Sequence, residues 1–218
     1  MNYKKEIIKI INDIAGRYSA YEVFTDWIRC CSLSVCNSSQ IIQDKVWKDR
    51  ERMYLDTIGK YTHEEGMLFI KMFAHLAYAL EEEVTDILGQ IYMESGMGSK
   101  AAGQFFTPFH LCYACAQLQV PSPDKFEKIY INEPSCGGGA MVIAAAAVLK
   151  DKGIDFRRTL KVVAQDLDWK GVYMCYLQLS LLGIDAVCVQ GNTLAEPYRE
   201  EYPEERVLRT PRNRGIYI

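Results

Sequence analysis

The chain has 218 residues, of which 49% are hydrophobic, so it can bury a core in one large domain or two small ones. Its formal net charge of −3 excludes a global basic field for nucleic acid, and contact with DNA therefore requires a local patch or a partner. The N-terminal stretch carries charges throughout, and no apolar run is long enough to span a bilayer. We expect a reduced cytoplasmic protein whose eight cysteines are buried thiols.

Residues 3 to about 118 show helical hydrophobic spacing nearly throughout. Thr62 followed by Glu65 resembles a capping box that opens a long apolar helix. A short helix is predicted over 84–93, and another is predicted to start at about residue 109. Cys112 and Cys115 fall in that last helix as a lone pair, so packing in the core is favoured over a zinc site.

From about residue 121 onward, strand-like runs alternate with helix-like runs, which predicts βαβ units, right-handed crossovers and a parallel sheet. The runs are KIYIN, AMVIAAAAVLK, LKVVAQD, WKGVYMCYLQLSLLG and AVCVQGN. We therefore expect an α/β protein. A helical N-terminal domain over 1–118 would pack on a truncated Rossmann-like domain over 119–218, with three or four parallel strands.

Glycine or polar residues follow each of the three predicted strands. The first strand leads into the glycine-rich stretch 133–139 and then a helix, which is the layout of a nucleotide-binding loop. Taken alone, these glycines could equally form an ordinary strand-to-helix turn. The dinucleotide fingerprint fails, because Val142 stands where its third glycine belongs.

The second predicted strand ends in two acidic residues, and the third ends in an asparagine. Asp166 is placed to accept hydrogen bonds from ribose hydroxyls, whereas Asp168 suits a helix N-cap. Asn192 offers both a donor and an acceptor where ligands sit in open α/β sheets, although Gly-Asn is also an ordinary turn. The charged tail is either solvated surface or a small phosphate-binding patch formed by Arg206, Arg209, Arg212 and Arg214.

Four segments, in this order, resemble the modification subunits of type I restriction–modification systems, which are N6-adenine DNA methyltransferases. The resemblance covers about residues 60 to 195, and the first two segments at their spacing are its most specific parts. The segments are GQFFTP at 103–108, EPSCGGG at 133–139, QDLD at 165–168 and GNTL at 191–194.

The resemblance implies S-adenosylmethionine as the cofactor. One loop is implied to lie against the methionine end of the cofactor, and it comprises Gln104, Phe105, Phe106, Thr107 and Pro108. A turn is implied to wrap the methionine moiety and the sugar, and it includes Glu133, Ser135, Cys136, Gly137 and Gly139. Here glutamate replaces the family's usual aspartate, and Gly138 replaces its usual serine.

The remaining two segments are implied to hold the nucleoside part of the cofactor. Asp166 would bind the ribose hydroxyls, and Leu167 would pack on the adenine ring. The segment with Asn192 and Leu194 would contact the adenine amino group, with asparagine in place of the usual aspartate. An asparagine carbonyl can still accept that hydrogen bond.

The family's catalytic motif, Asn-Pro-Pro followed by tyrosine or phenylalanine, has no counterpart, because none of the seven prolines are adjacent. No catalytic residue is identified. Two functions follow: a DNA adenine-N6 methyltransferase or its cofactor-binding part, and a non-catalytic S-adenosylmethionine-binding module for regulation or assembly. Val142 and the QFFTP loop argue against a third, a different Rossmann-like enzyme that uses a nicotinamide. The expected partners are DNA, bound weakly by the chain alone, and a specificity-subunit-like chain or a second copy. Neither a metal nor a membrane is expected.

Overall fold

The computed structural model describes residues 2–97, 106–120 and 127–215. In these ranges six helices precede the first strand: α1 Tyr3–Ile14, α2 Ala20–Ser38, α3 Lys45–Ile58, α4 His63–Glu82, α5 Ile87–Glu94 and α6 Phe109–Gln119. The capping box at Thr62 is confirmed, and a second one closes between Ser19 and Glu22. The short helix α5 begins three residues later than predicted, because Asp86 caps it.

A four-stranded sheet with the order β1-β2-β3-β4 follows the helices. Its elements are β1 Ile129–Glu133, α7 Ala140–Asp151, α8 Phe156–Thr159, β2 Leu160–Asp166, α9 Trp169–Leu181, β3 Asp185–Gln190, a 3₁₀ turn at Glu204–Arg206 and β4 Val207–Arg209. The first three strands are parallel, with Ile131 opposite Val162 and Val162 opposite Ala186. The α/β prediction is thus confirmed.

The prediction of a wholly parallel sheet is wrong for β4, which runs antiparallel to β3. A parallel return needs a crossover that brings the chain back to the starting end of the sheet. Residues 191–206 contain only the short 3₁₀ turn, so the chain enters β4 from the end at which it left β3. The further strand suggested for the last residues falls mainly on 216–218, which lie outside the described residues.

Helix α9 lies at the centre of the molecule and is buried on every side from Lys170 to Ser180. The N-terminal helices pack directly on it, since Ser32 Oγ donates a hydrogen bond of 3.1 Å to the carbonyl of Tyr173. One continuous hydrophobic core extends from Ile7 on α1 to Leu208 on β4. The proposed domain boundary at residue 118 stays a prediction, and residues 121–126 beside it lie outside the described ranges.

Helix α6 packs on α7 through small side chains, where Cys112 and Ala116 meet Ala144 and Val148. The prediction of core packing holds for Cys112 but is wrong for Cys115, which is exposed because it faces away from α7. The described residues contain no group of three or more histidine, cysteine or acidic side chains placed to hold a metal ion. None of the helices described is long and apolar enough to cross a membrane.

Candidate cofactor site

The three strand ends singled out in the sequence meet at one edge of the sheet, because parallel strands end on the same side. Cys136 N donates to the carbonyl of Gln165 at 2.9 Å, and Gly191 N donates to the carbonyl of Asp166 at 2.8 Å. Thr193 Oγ1 donates to the carbonyl of Pro134 at 2.7 Å. These hydrogen bonds join the glycine turn and the segments after β2 and β3 into one surface.

The glycine turn between β1 and α7 has a backbone conformation that residues with a side chain adopt poorly. Gly137 has a φ of 50° and Gly139 a φ of 93°, both in the left-handed region. A Cβ at Gly137 would lie 3.1 Å from the ring of Phe106, and one at Gly139 would lie 3.0 Å from Cys175 Sγ. Helix α9 also approaches closely, since a Cβ at Gly171 would lie 3.2 Å from the carbonyl oxygen of Gly137.

The carboxylate of Asp166 is fixed at the end of β2 by two backbone amides. Its Oδ2 accepts a hydrogen bond of 2.8 Å from Gly137 N, and its Oδ1 accepts one of 2.9 Å from Asp168 N. Each carboxylate oxygen has a second lone pair, so both can still accept from a ligand hydroxyl. Asp168 caps α9 by accepting from Lys170 N at 3.0 Å, which confirms its predicted role.

Apolar and amide side chains project from the same edge. The side chain of Leu167 is 67% exposed and lies directly beside the Asp166 carboxylate in sequence, while Leu194 is 97% exposed. Asn192 is exposed, and its Oδ1 accepts from Leu194 N at 3.1 Å. On the turn itself, Glu133 accepts a hydrogen bond of 3.3 Å from Ser135 N.

Cys136 contributes to the glycine turn through packing rather than reactivity. Its side chain is buried, and the neighbouring thiol of Cys175 together with burial holds the pKa of Cys136 well above its ordinary value. A thiol that stays protonated is a poor nucleophile. The structure therefore gives this residue a structural place beneath the turn.

Only part of the predicted methionine loop can be placed, because Gln104 and Phe105 lie outside the described residues. The ring of Phe106 covers Gly137 and meets the ring of Tyr92 edge-on, with centroids 5.1 Å apart. Thr107 and Pro108 precede α6 and are exposed. A cavity of about 430 Å³ lies between this segment and α5.

A buried network behind the glycine turn escaped the sequence analysis. Asp86 Oδ1 accepts from Gly89 N at 2.9 Å and from Gln178 Nε2 at 2.8 Å. Gln178 Nε2 also donates to the carbonyl of Gly138 at 2.9 Å, and its Oε1 accepts from Leu88 N at 3.0 Å. The Asp-x-x-Gly spacing carries an N-cap signal, whereas a glutamine inside the apolar run of α9 carries none.

A second buried polar group, Lys170, links the cap of α9 to α5. Its Nζ lies 3.0 Å from Tyr92 Oη and 3.6 Å from Asp168 Oδ2. Burial alone would lower the pKa of Lys170, but the hydrogen bond to Tyr92 and the nearby charges raise it above the ordinary value. Lys170 therefore remains charged and braces Tyr92, which in turn supports Phe106.

The tail arginines point to different partners instead of forming one patch. Arg206 pairs with Glu196 at 3.2 Å, and Arg209 forms two hydrogen bonds with Glu204 at 2.9 and 3.0 Å. Arg214 donates to Gln40 at 3.3 Å, and Arg212 is half-buried. Their predicted contact with phosphate stays a prediction.

Comparison with known proteins places the chain in a family. A family model described as N-6 DNA Methylase matches residues 83–211, more than half of the chain, from the end of α4 to just beyond β4. A crystal structure described as a class I S-adenosylmethionine-dependent methyltransferase from Listeria monocytogenes is 10% identical, with a TM-score of 0.45. The match covers 95% of this chain and 66% of that chain. The chain belongs to the N-6 DNA methylase family.

Proposed function

We propose that the chain binds S-adenosylmethionine at the carboxyl ends of β1, β2 and β3 and serves as the cofactor-binding part of a DNA adenine-N6 methyltransferase. Membership of the family implies this cofactor. The observation that carries the proposal is the meeting of three features at one sheet edge: a glycine turn with a left-handed backbone, a fixed carboxylate and an exposed leucine. These features match a ligand with an extended chain, ribose hydroxyls and an adenine ring.

The residues present fit the cofactor part by part. Asp166 would accept from the ribose hydroxyls through its remaining lone pairs, and the exposed Leu167 would cover a face of the adenine. Asn192 would accept from the adenine amino group. Glu133, Ser135 and Cys136 shape the turn, and Gly137 lets its backbone approach the ligand. The bound cofactor supplies an electrophilic methyl group, while these residues bind and orient it.

The DNA substrate and the partners are part of the proposal. The family description supports adenine in DNA as the methyl acceptor. The net charge of −3 and the ion-paired tail arginines give little attraction for phosphate, which supports a specificity-subunit-like partner or a second copy. A type I restriction–modification role would follow. The missing Asn-Pro-Pro motif favours a second candidate, a non-catalytic module that binds the same cofactor.

Asp166→Ala is expected to weaken S-adenosylmethionine binding by about 1.5–3 kcal/mol, the range for losing hydrogen bonds to a charged acceptor. The variant also removes the acceptor for Gly137 N, which loosens the turn. Isothermal calorimetry of the wild type with S-adenosylmethionine and with NAD tests the function itself, since only the former should bind. Asp155→Ala is the matched control, because it removes the cap of α8, which lies before β2 and away from the carboxyl ends of the strands, and should leave the affinity close to that of the wild type. Equal losses in both variants would contradict the assignment of Asp166.

The purified chain alone is expected not to methylate DNA at a measurable rate. Methylation of adenine N6 needs acceptors on the amino group that stabilise the charge developing in the transition state, and a ring that holds the flipped base. The sequence has no Asn-Pro-Pro motif to supply them. The measurement is transfer of radiolabelled methyl groups to mixed-sequence duplex DNA. Incorporation that disappears in Gly137→Val would show that the chain catalyses by another arrangement.

A further inference from the structure

Asp86 is a buried carboxylate next to the proposed cofactor site that none of the assignments above uses. Asp86 is 3% exposed, and it lines the cavity of about 430 Å³ together with Phe106 and Thr107. The glycine turn is close, since a Cβ at Gly138 would lie 3.7 and 3.9 Å from the two carboxylate oxygens of Asp86. The carboxylate therefore lies behind the turn and at the wall of the cavity.

The charge of Asp86 has no counter-ion within the described ranges. Both hydrogen bonds it accepts come from neutral donors, Gly89 N and Gln178 Nε2, and both go to Oδ1. Burial raises the pKa of this carboxyl, although the two hydrogen bonds lower it. Glu94, which also lines the cavity, differs because it pairs with Lys4 and is partly exposed.

The capping role of Asp86 does not explain a buried charge. Asparagine and serine cap helices about as well as aspartate, without the cost of burying an ion. A buried carboxylate without a cation is destabilising unless something pairs with it. Its position against a cavity suggests that a cationic group of a ligand supplies the pairing.

The geometry points to Asp86 as the acceptor for the α-ammonium group of the methionine moiety of S-adenosylmethionine. This inference rests on the proposed function. On one side of the glycine turn, the Asp166 carboxylate accepts a hydrogen bond from Gly137 N. On the other side, Gln178 Nε2 donates to both the Asp86 carboxylate and the Gly138 carbonyl, and so links Asp86 to the turn. With the ribose at Asp166, the amino-acid end of the cofactor extends across the turn toward the cavity. An ammonium group there would meet an uncompensated carboxylate.

Asp86→Asn tests the inference with little structural disturbance. The amide oxygen of asparagine can accept the same two hydrogen bonds and cap α5, so the substitution removes mainly the charge. The ligands are S-adenosylmethionine, S-adenosylhomocysteine and 5′-deoxy-5′-methylthioadenosine, which lacks the amino-acid group. We expect the first two to bind about 10- to 100-fold more weakly to the variant, and the third to bind equally well to both proteins.

Thermal unfolding without ligand provides the structural control. Because burial raises the pKa of Asp86, ionising it costs stability as the pH rises through the folded-state pKa, so Asp86→Asn should unfold no earlier than the wild type at pH 8. The rival acceptor is Glu133 on the turn, and Glu133→Gln is therefore measured in parallel.

Each other result overturns the inference in a recognisable way. Equal weakening of all three ligands would mean that Asp86 acts only through the fold of the turn. Unchanged binding of all three would mean that its charge is not used. Selective loss in Glu133→Gln but not in Asp86→Asn would assign the ammonium group to Glu133. A wild-type protein that binds none of the three ligands would overturn the proposed function together with the inference.

Discussion

Gly137→Val is expected to reduce the affinity for S-adenosylmethionine by more than about 100-fold, the largest effect on binding of any single change in the turn. A β-branched residue is strained at a φ of 50°. Its Cβ would also lie 3.1 Å from the ring of Phe106, so the ring or the turn must move. Either movement disturbs the Gly137 N–H that holds the Asp166 carboxylate at 2.8 Å.

The matched control for this experiment is Gly153→Val, at the end of α7. Gly153 has a φ of 72°, and a Cβ there would have nothing within 4 Å. The control therefore introduces backbone strain of about 1–3 kcal/mol without touching the site. Calorimetry should show near-normal affinity for Gly153→Val and no measurable binding for Gly137→Val. If the two variants bound equally well, the glycine turn would not be the cofactor site.

Gln178→Met is expected to lower the free energy of unfolding by about 3–5 kcal/mol, the largest effect on stability among these substitutions. The side chain of Gln178 is fully buried and joins three partners that lie far from it in sequence. Methionine fills a similar volume but leaves Leu88 N–H and the Gly138 carbonyl without a partner, and it removes the side-chain donor to Asp86. A buried polar group without a hydrogen-bond partner destabilises the folded state, because it has given up its hydrogen bonds to water and gained none in return.

Urea denaturation of the wild type and the variant measures this difference. Gln117→Met serves as the control, because Gln117 is exposed on α6 and should change stability by no more than about 0.5 kcal/mol. A loss below about 1 kcal/mol in Gln178→Met would show that the network around Asp86 contributes little. Such a result would also mean that the hydrogen bond from Gln178 to the Gly138 carbonyl does little to hold the glycine turn in place.

Much of the site could be predicted because its parts are local and its assembly follows a general rule. Glycines that permit a left-handed turn, an acidic residue at a strand end and an aspartate that suits an N-cap are all visible within a few residues. Parallel strands place their carboxyl ends together, so Gly137, Asp166 and Asn192 could be expected to lie at one edge. The structure places them there, through the contacts between Cys136 and Gln165 and between Thr193 and Pro134.

The sequence by itself determined the longer helices, the three parallel strands, the caps at Thr62 and Asp168 and the glycine turn, because hydrophobic period, capping and glycine placement act over short distances. Only the tertiary structure decided the direction of β4 and the exposure of Cys115. It also decided the pairing of Asp86 with Gln178, which are 92 residues apart. The hydrogen bonds and charge of a buried polar group depend on neighbours that folding brings near, and no local pattern records which these will be.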